Sequence, residues 1–108
     1  GEYDGVRILP KQMISDMTLP HVKKGVFARR DVKGLGWGLG IGVVVNEDST
    51  LPSKLGDTFW GGYYGTTFFV SPSTGLVGVI LSQNEMSQYS GGYQTPIYAI
   101  QAIALSGS

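Results

Sequence analysis

Glycine occupies every second position of one stretch of this chain, and this spacing limits the fold more than any other feature. Residues 34–46 read GLGWGLGIGVVVN, so glycines alternate with large apolar residues. Successive side chains of a strand point to opposite faces, so a period of two indicates a β-strand with one apolar face. Glycine weakens a strand unless another segment approaches its backbone closely. We therefore expect one strand over 34–46, with its bare face against a helix or another segment.

The spacing near the N-terminus predicts a short amphipathic helix. Apolar side chains recur there at intervals of three and four residues, at Met13, Ile14 and Met17. Pro10 suits the first position of a helix, and Pro20 ends it. The helix is expected to bury the single stripe that the three apolar residues form.

The second half of the chain predicts further strands and a last helix. Residues 58–72, TFWGGYYGTTFFVSP, read as two strand stretches, with a kink or bulge rather than a free turn at Gly61-Gly62. A tight turn over 71–75 followed by an apolar strand over 76–83 predicts an antiparallel hairpin. From Pro96 onward, a helix with few polar positions is expected to lie against the sheet.

Together these elements predict an α+β fold. It would hold an antiparallel sheet of three to four strands, with the short N-terminal helix and the C-terminal helix packed on it. The 108 residues amount to a single domain or a segment of one, and a mean hydropathy of +0.05 is typical of a globular chain.

Charge and composition exclude several classes of function. Eight basic residues balance eight acidic ones, which removes the electrostatic reason to expect a nucleic-acid partner. A basic cluster between residues 23 and 33 is interpreted as a solvated loop. The chain has no cysteine and only one histidine, His21, so we expect no metal site, and the glycine spacing does not match a dinucleotide site. No cofactor is expected, and no apolar run is long enough to span a membrane.

A search for a catalytic nucleophile finds no candidate pair. A serine three residues before a lysine would bring the two side chains together on one helical turn, but no serine of this chain has lysine at that position. Ser82-Gln83-Asn84 has the form of a Ser-x-Asn element. Its place at the end of a strand, after Trp60, leads us to assign it no role.

Four stretches resemble the C-terminal region of the serine β-lactamase, penicillin-binding protein and family VIII esterase group. They are the lead-in GEYDGVRIL with its short helix, LGWGLG at 35–40, FWGGYYGT at 59–66 with the residues up to Pro72, and LVGVIL at 76–81 with the Pro96–Leu105 helix. The resemblance covers residues 1–105 and depends on their order and spacing. It implies that residues 1–108 are a single C-terminal segment with part of a β-lactamase/transpeptidase-like fold.

The resemblance also implies roles for four residues. Trp60-Gly61-Gly62 matches the position where many members have Lys-Thr-Gly, on the strand beside the active site. Glycines there give a substrate access to the backbone, and the backbone amide of Tyr63 would be an oxyanion-hole donor. Trp60 would form an apolar wall. Without the lysine, which anchors a β-lactam carboxylate, esterase or acyl-transferase chemistry is favoured.

We therefore expect the C-terminal part of a bacterial serine hydrolase that acts on an ester or acyl substrate. The Ser-x-x-Lys nucleophile would lie in a preceding part, since the chain starts at Gly1 as a processed, excised or designed piece. The isolated chain should be inactive, and it should self-associate or pair with the missing N-terminal part through apolar patches. The alternative is a non-catalytic β-rich binding or interaction module. A periplasmic, secreted or cytoplasmic location remains open.

Overall fold

The described part of the chain contains seven strands and two short helices. The structure is a computed structural model, and it describes residues 1–23, 26, 34–45, 53–84 and 102–107. Its strands are β1 (Glu2–Tyr3), β2 (Val6–Arg7), β3 (Leu35–Trp37), β4 (Gly42–Val44), β5 (Thr58–Gly61), β6 (Thr67–Ser71) and β7 (Leu76–Ile80). Helix α1 is Lys11–Thr18, and residues 102–106 form helix α2.

The strands form two antiparallel sheets. Strands β1 and β2 pair in a short ribbon, and the other five form one sheet in the order β3-β4-β5-β6-β7. The sheet is a meander, because each strand pairs with the next one in the chain. The mixed α+β class is confirmed, but the expected three to four strands were too few, since the chain reverses direction at two glycine-containing places that we had not interpreted as turns.

The first of these places is the glycine-rich stretch, where the single strand expected over 34–46 is wrong. Strands β3 and β4 form a hairpin instead. The N–H of Gly38 donates to the carbonyl oxygen of Ile41 at 2.8 Å, and Gly40 has φ +79°. This left-handed conformation is readily adopted by glycine, so Gly40 allows the chain to turn back.

The end of α1 lies directly against this hairpin. A Cβ atom added at Gly38 would overlap the carbonyl oxygen of Met17. The same carbonyl accepts a hydrogen bond from the N–H of Leu39 at 3.0 Å, and the N–H of His21 donates to the carbonyl of Trp37 at 2.8 Å. We expected another segment to approach the backbone of a glycine in this stretch, and the end of α1 does so at Gly38. The hydrogen bond to Trp37 also covers part of the sheet edge at β3.

Helix α1 was correctly predicted in type and position, but its burial was overestimated. It begins at Lys11, one residue after Pro10, and no residue within it is fully buried. Met13 is 52% exposed, whereas Ile14 and Met17 are half-buried. The apolar stripe is thus only partly covered.

The second unexpected reversal is at the glycine pair, where a kink or bulge was expected instead of a turn. Strands β5 and β6 pair antiparallel, and the chain reverses over residues 62–66. The next hairpin, β6–β7, was predicted correctly, with its turn at 72–75 and Gly75 at φ +72°. Strand β7 ends at Ile80, however, and not at residue 83.

The main core cluster lies on one face of the five-stranded sheet, and Val43, on the other face, is also buried. The residues of the cluster come from β3, β4, β5, β6 and α2: Leu35, Val44, Phe59, Phe69 and Leu105. Leu105 packs there as predicted for the C-terminal helix, while residues 96–101 of that helix lie outside the described residues. So do residues 47–52 and most of the basic cluster. Among the described helices, none has the length and apolar character needed to cross a membrane.

Candidate functional site

The segment Trp60-Gly61-Gly62 lies where strand β5 ends and its hairpin turn begins. Trp60 and Gly61 are the last two residues of β5 and pair with Phe68 and Thr67 of β6. The N–H of Gly62 then donates to the carbonyl of Thr66 at 2.7 Å, which closes the hairpin. Residues 62–66 are called the hairpin tip below. The candidate site residues therefore lie at one end of the sheet.

Tyr63 is the second residue of a tight turn in the hairpin tip. The N–H of Gly65 donates to the carbonyl of Gly62 at 3.1 Å, so Tyr63 and Tyr64 are the two central residues of a β-turn. Both have negative φ and Gly65 has φ +78°, which fits a type I turn followed by a left-handed residue in a three-residue hairpin loop. The side chain of Tyr63 is 60% exposed. Its backbone amide is thus held at the end of the sheet by the geometry of the turn.

Contacts within the hairpin favour glycine at positions 61 and 62, in addition to the substrate access expected from the sequence. A Cβ atom at Gly62 would overlap the side-chain oxygen of Thr66, and one at Gly61 would lie 3.3 Å from the carbonyl oxygen of Thr66. Gly61 is nevertheless exposed, and Gly62 is half-exposed. A side chain at position 62 would displace the hydroxyl of Thr66, and both glycines leave the backbone accessible to a ligand.

Trp60 is held by a second tryptophan. The rings of Trp37 and Trp60 meet edge to face with their centroids 4.5 Å apart, an arrangement that aromatic pairs favour. Gly42 lies between them in the sheet, and a Cβ atom there would be 3.4 Å from the Trp60 ring. Trp37 is itself half-buried, and its ring contact with Trp60 restricts the orientation of the Trp60 side chain.

An open apolar cavity adjoins the glycine pair. Its volume is about 310 Å³, and it is lined by Trp60, Gly61, Gly62, Thr66, Thr67, Phe68, Val79, Ile80 and Leu81. The polar side-chain groups among these residues are the two threonine hydroxyls and the indole N–H of Trp60, and the hydroxyl of Thr67 is already bonded to the carbonyl of Trp60 at 2.8 Å. No residue between 58 and 84 is charged. Such a surface suits an uncharged apolar group.

The structure brings Ser82 and Asn84 to the hairpin tip, although we assigned them no role from the sequence. The N–H of Asn84 donates to the carbonyl of Tyr64 at 3.1 Å, and its side-chain amide donates to the hydroxyl of Ser82 at 3.4 Å. Their position follows from the topology, because two successive hairpins return the end of β7 to the end of the sheet where β5 ends. The Ser-x-Asn element thus lies beside Tyr64.

Two buried polar residues were also missed from the sequence. Asp57 precedes β5 and Ser71 ends β6, and both are 0% exposed. One carboxylate oxygen of Asp57 accepts the N–H of Lys54 at 2.9 Å. Within the described residues, the other carboxylate oxygen and the Ser71 hydroxyl have no hydrogen-bond partner. They lie at the opposite end of β5 from Gly62, so they belong to a different region from the candidate site.

His21 is a surface residue. It is exposed, and its ring nitrogen Nε2 lies 2.6 Å from the carbonyl oxygen of Asp16. In the described ranges, no three histidine, aspartate or glutamate side chains come together in a way that would hold a metal ion. Comparisons with protein-family models and with curated proteins found no match to this chain.

Proposed function

We propose that this chain is the C-terminal part of a β-lactamase-related serine hydrolase of the esterase or acyl-transferase type. It would supply the strand beside the active site and one amide of the oxyanion hole. The observation that carries the proposal is the position of Trp60-Gly61-Gly62-Tyr63 at an exposed strand end, next to an apolar cavity of about 310 Å³. This arrangement supports the roles that the sequence resemblance assigns to these four residues.

The chemistry divides between this chain and a preceding part. A serine activated by a lysine would attack the ester carbonyl, and negative charge would develop on the carbonyl oxygen as the new carbon–oxygen bond forms. The backbone N–H of Tyr63 would donate to that oxygen, while the alcohol leaves with the proton that the serine gave up. Gly61 and Gly62 would let the substrate lie against the strand, and Trp60 would contact its apolar portion.

The isolated chain should therefore show no turnover of a p-nitrophenyl ester above background, because no serine in it has a lysine three residues later. Adding the preceding part that carries Ser-x-x-Lys should restore turnover. A matched control carries the serine-to-alanine change in that part and should remain inactive. Turnover by the isolated chain that a fluorophosphonate abolishes would contradict the division. Absence of Ser-x-x-Lys from the preceding coding sequence would contradict the hydrolase itself.

A non-catalytic binding module is the second candidate, and the tyrosine pair favours it. Tyr63 and Tyr64 are 60% and 55% exposed, and their rings meet edge to face with centroids 5.1 Å apart. Exposed aromatic side chains can contact a sugar or peptide through an apolar face while their hydroxyl groups stay hydrated. Saccharide or peptide binding by the isolated chain that Tyr64→Ala abolishes, together with no preceding Ser-x-x-Lys, would favour this candidate over the hydrolase.

A further inference from the structure

The turn of the β1–β2 ribbon contains the only aspartate of the sequence that is followed directly by glycine. Asp4 and Gly5 are the two central residues of this turn, with φ +50° and +75°, and both are exposed. A Cβ atom built on Gly5 would meet nothing within 4 Å. The peptide bond between the two residues therefore lies in an open, uncrowded position.

The two groups that could react with each other at this turn are free of hydrogen bonds. In the described part of the chain, the Asp4 carboxylate takes part in no hydrogen bond or ion pair, and the N–H of Gly5 donates to no acceptor. Glycine has no side chain to shield its nitrogen, so this atom can approach the Cγ atom of Asp4. Ring closure requires a change in the backbone at Asp4, and a ribbon of only two exposed residue pairs opens at little cost.

We propose that Asp4 is a site of spontaneous isoaspartate formation. The nitrogen of Gly5 bonds to Cγ of the neutral Asp4 carboxyl group, and the carboxyl OH leaves with the proton of that nitrogen as water, which gives a cyclic succinimide. Water then adds to the backbone carbonyl of Asp4, the bond from this carbon to the nitrogen breaks, and the chain continues through Cβ and Cγ. One water is released and one is taken up, so the reaction needs no oxidant or co-reactant.

The product should open the ribbon. An isoaspartyl linkage adds one methylene group to the backbone, so the two-residue turn no longer fits the pairing of Tyr3 with Val6 and of Glu2 with Arg7. The ion pair between Arg7 and Glu2 joins the same two strands. The modification therefore releases residues 1–3 from the strand that leads into helix α1.

The other described aspartates are internal controls. Asp16 precedes Met17 in helix α1, and its carboxylate accepts a side-chain hydrogen bond at 2.9 Å. Asp57 precedes Thr58, is 0% exposed and accepts the N–H of Lys54 at 2.9 Å. In both cases the next residue has a side chain that crowds its nitrogen, and the carboxylate is held by a hydrogen bond. Neither aspartate should react at the rate of Asp4.

Storage of the folded chain followed by peptide mapping tests the proposal. Mass spectrometry with electron-transfer fragmentation, which distinguishes isoaspartate from aspartate, should find isoaspartate at position 4 and not at Asp16 or Asp57. In isotopically labelled water, position 4 should gain solvent oxygen, because the ring opens by hydrolysis. Gly5→Asn should slow the reaction severalfold, since asparagine tolerates a positive φ but its side chain crowds the nitrogen. Circular dichroism of this variant should match the wild type.

A parallel sample unfolded in urea shows whether the fold permits the reaction. Asp4 should convert in both samples. A folded chain that stays unmodified while the unfolded chain converts would overturn the proposal, and so would an unchanged rate in Gly5→Asn or equal conversion at Asp16 and Asp57. None of these measurements involves ester hydrolysis, so failure of this inference is distinguishable from failure of the proposed function.

Discussion

Replacing Phe69 with alanine is expected to lower the free energy of unfolding by about 3–5 kcal/mol, the usual cost of removing a large aromatic side chain from a core. Phe69 is 4% exposed and belongs to the buried cluster on the covered face of the sheet. Its ring also lies over Gly78 of the neighbouring strand, where an added Cβ atom would overlap the ring. Urea unfolding followed by circular dichroism measures the loss, in a chain whose total stability is on the order of 5–15 kcal/mol.

The adjacent phenylalanine provides the matched control. Phe68 is 39% exposed and faces away from the core, so Phe68→Ala should cost less than half as much as Phe69→Ala. Equal losses for the two variants would contradict the assignment of Phe68 and Phe69 to opposite faces.

A substitution at Gly78 tests the contact between this residue and the ring of Phe69. Gly78→Ala should cost about 1–3 kcal/mol, since the new methyl group and the Phe69 ring cannot occupy the same space. Gly107→Ala is its control, because an added Cβ atom there meets nothing within 4 Å. When Gly78→Ala is combined with Phe69→Leu, the loss should be smaller than the sum of the two single losses. Strict additivity would show that the two positions do not interact.

The elements with local signals were predictable from the sequence. Helix α1 has three- and four-residue apolar spacing between two prolines, and the β6–β7 hairpin has a proline, polar residues and a glycine in its turn. The turn of the β1–β2 ribbon also has a local signal in the sequence, although we did not predict a hairpin from it. The turn is Asp4-Gly5, both at positive φ, and this dipeptide is typical of a two-residue hairpin.

The alternating glycines could not reveal their own turn. Residues that pair across two antiparallel strands have their side chains on the same face of the sheet. Gly36 pairs with Val43, and Gly42 pairs with Trp37. Gly36 and Gly42 therefore lie on different faces, although both occupy even positions in the sequence. The predicted glycine face is thus divided between the two faces of the sheet. Only Gly40, at φ +79°, marks the reversal, and nothing in its local sequence distinguishes it from the other glycines.

The candidate site was predictable only in part, because several of its contacts join segments that are distant in the sequence. The sequence predicted that Trp60 would lie on a strand, but the following residues, Tyr63-Tyr64, have high strand propensity and concealed the turn. The contact between Asn84 and the carbonyl of Tyr64 depends on how two hairpins fold back on each other. The contact between Trp37 and Trp60 crosses strand β4. Such contacts follow from tertiary structure and have no signal at the level of single segments.

On the proposed function, replacing Tyr63 with proline is expected to reduce kcat/KM for ester hydrolysis by about 10²–10³ in the proposed serine-bearing parent, because it removes the amide that we propose as an oxyanion-hole donor. The turn itself suits this change. Tyr63 is the first central residue of a type I turn, a position that favours proline, and Gly62 before it continues from the extended strand β5. Proline thus deletes the N–H while the hydrogen bond between Gly65 and Gly62 can remain. Circular dichroism and thermal unfolding should match the parent.

Tyr63→Ala separates the backbone amide from the side chain. Alanine keeps the N–H and removes a ring that is 60% exposed, so the expected loss of kcat/KM is below about tenfold. Because the donor acts on charge that develops in the transition state, Tyr63→Pro should lower kcat and leave KM nearly unchanged. Parent-level turnover by Tyr63→Pro would exclude this amide from the oxyanion hole. An equal loss in both variants would assign the effect to the tyrosine ring, and hence to substrate binding at the hairpin tip.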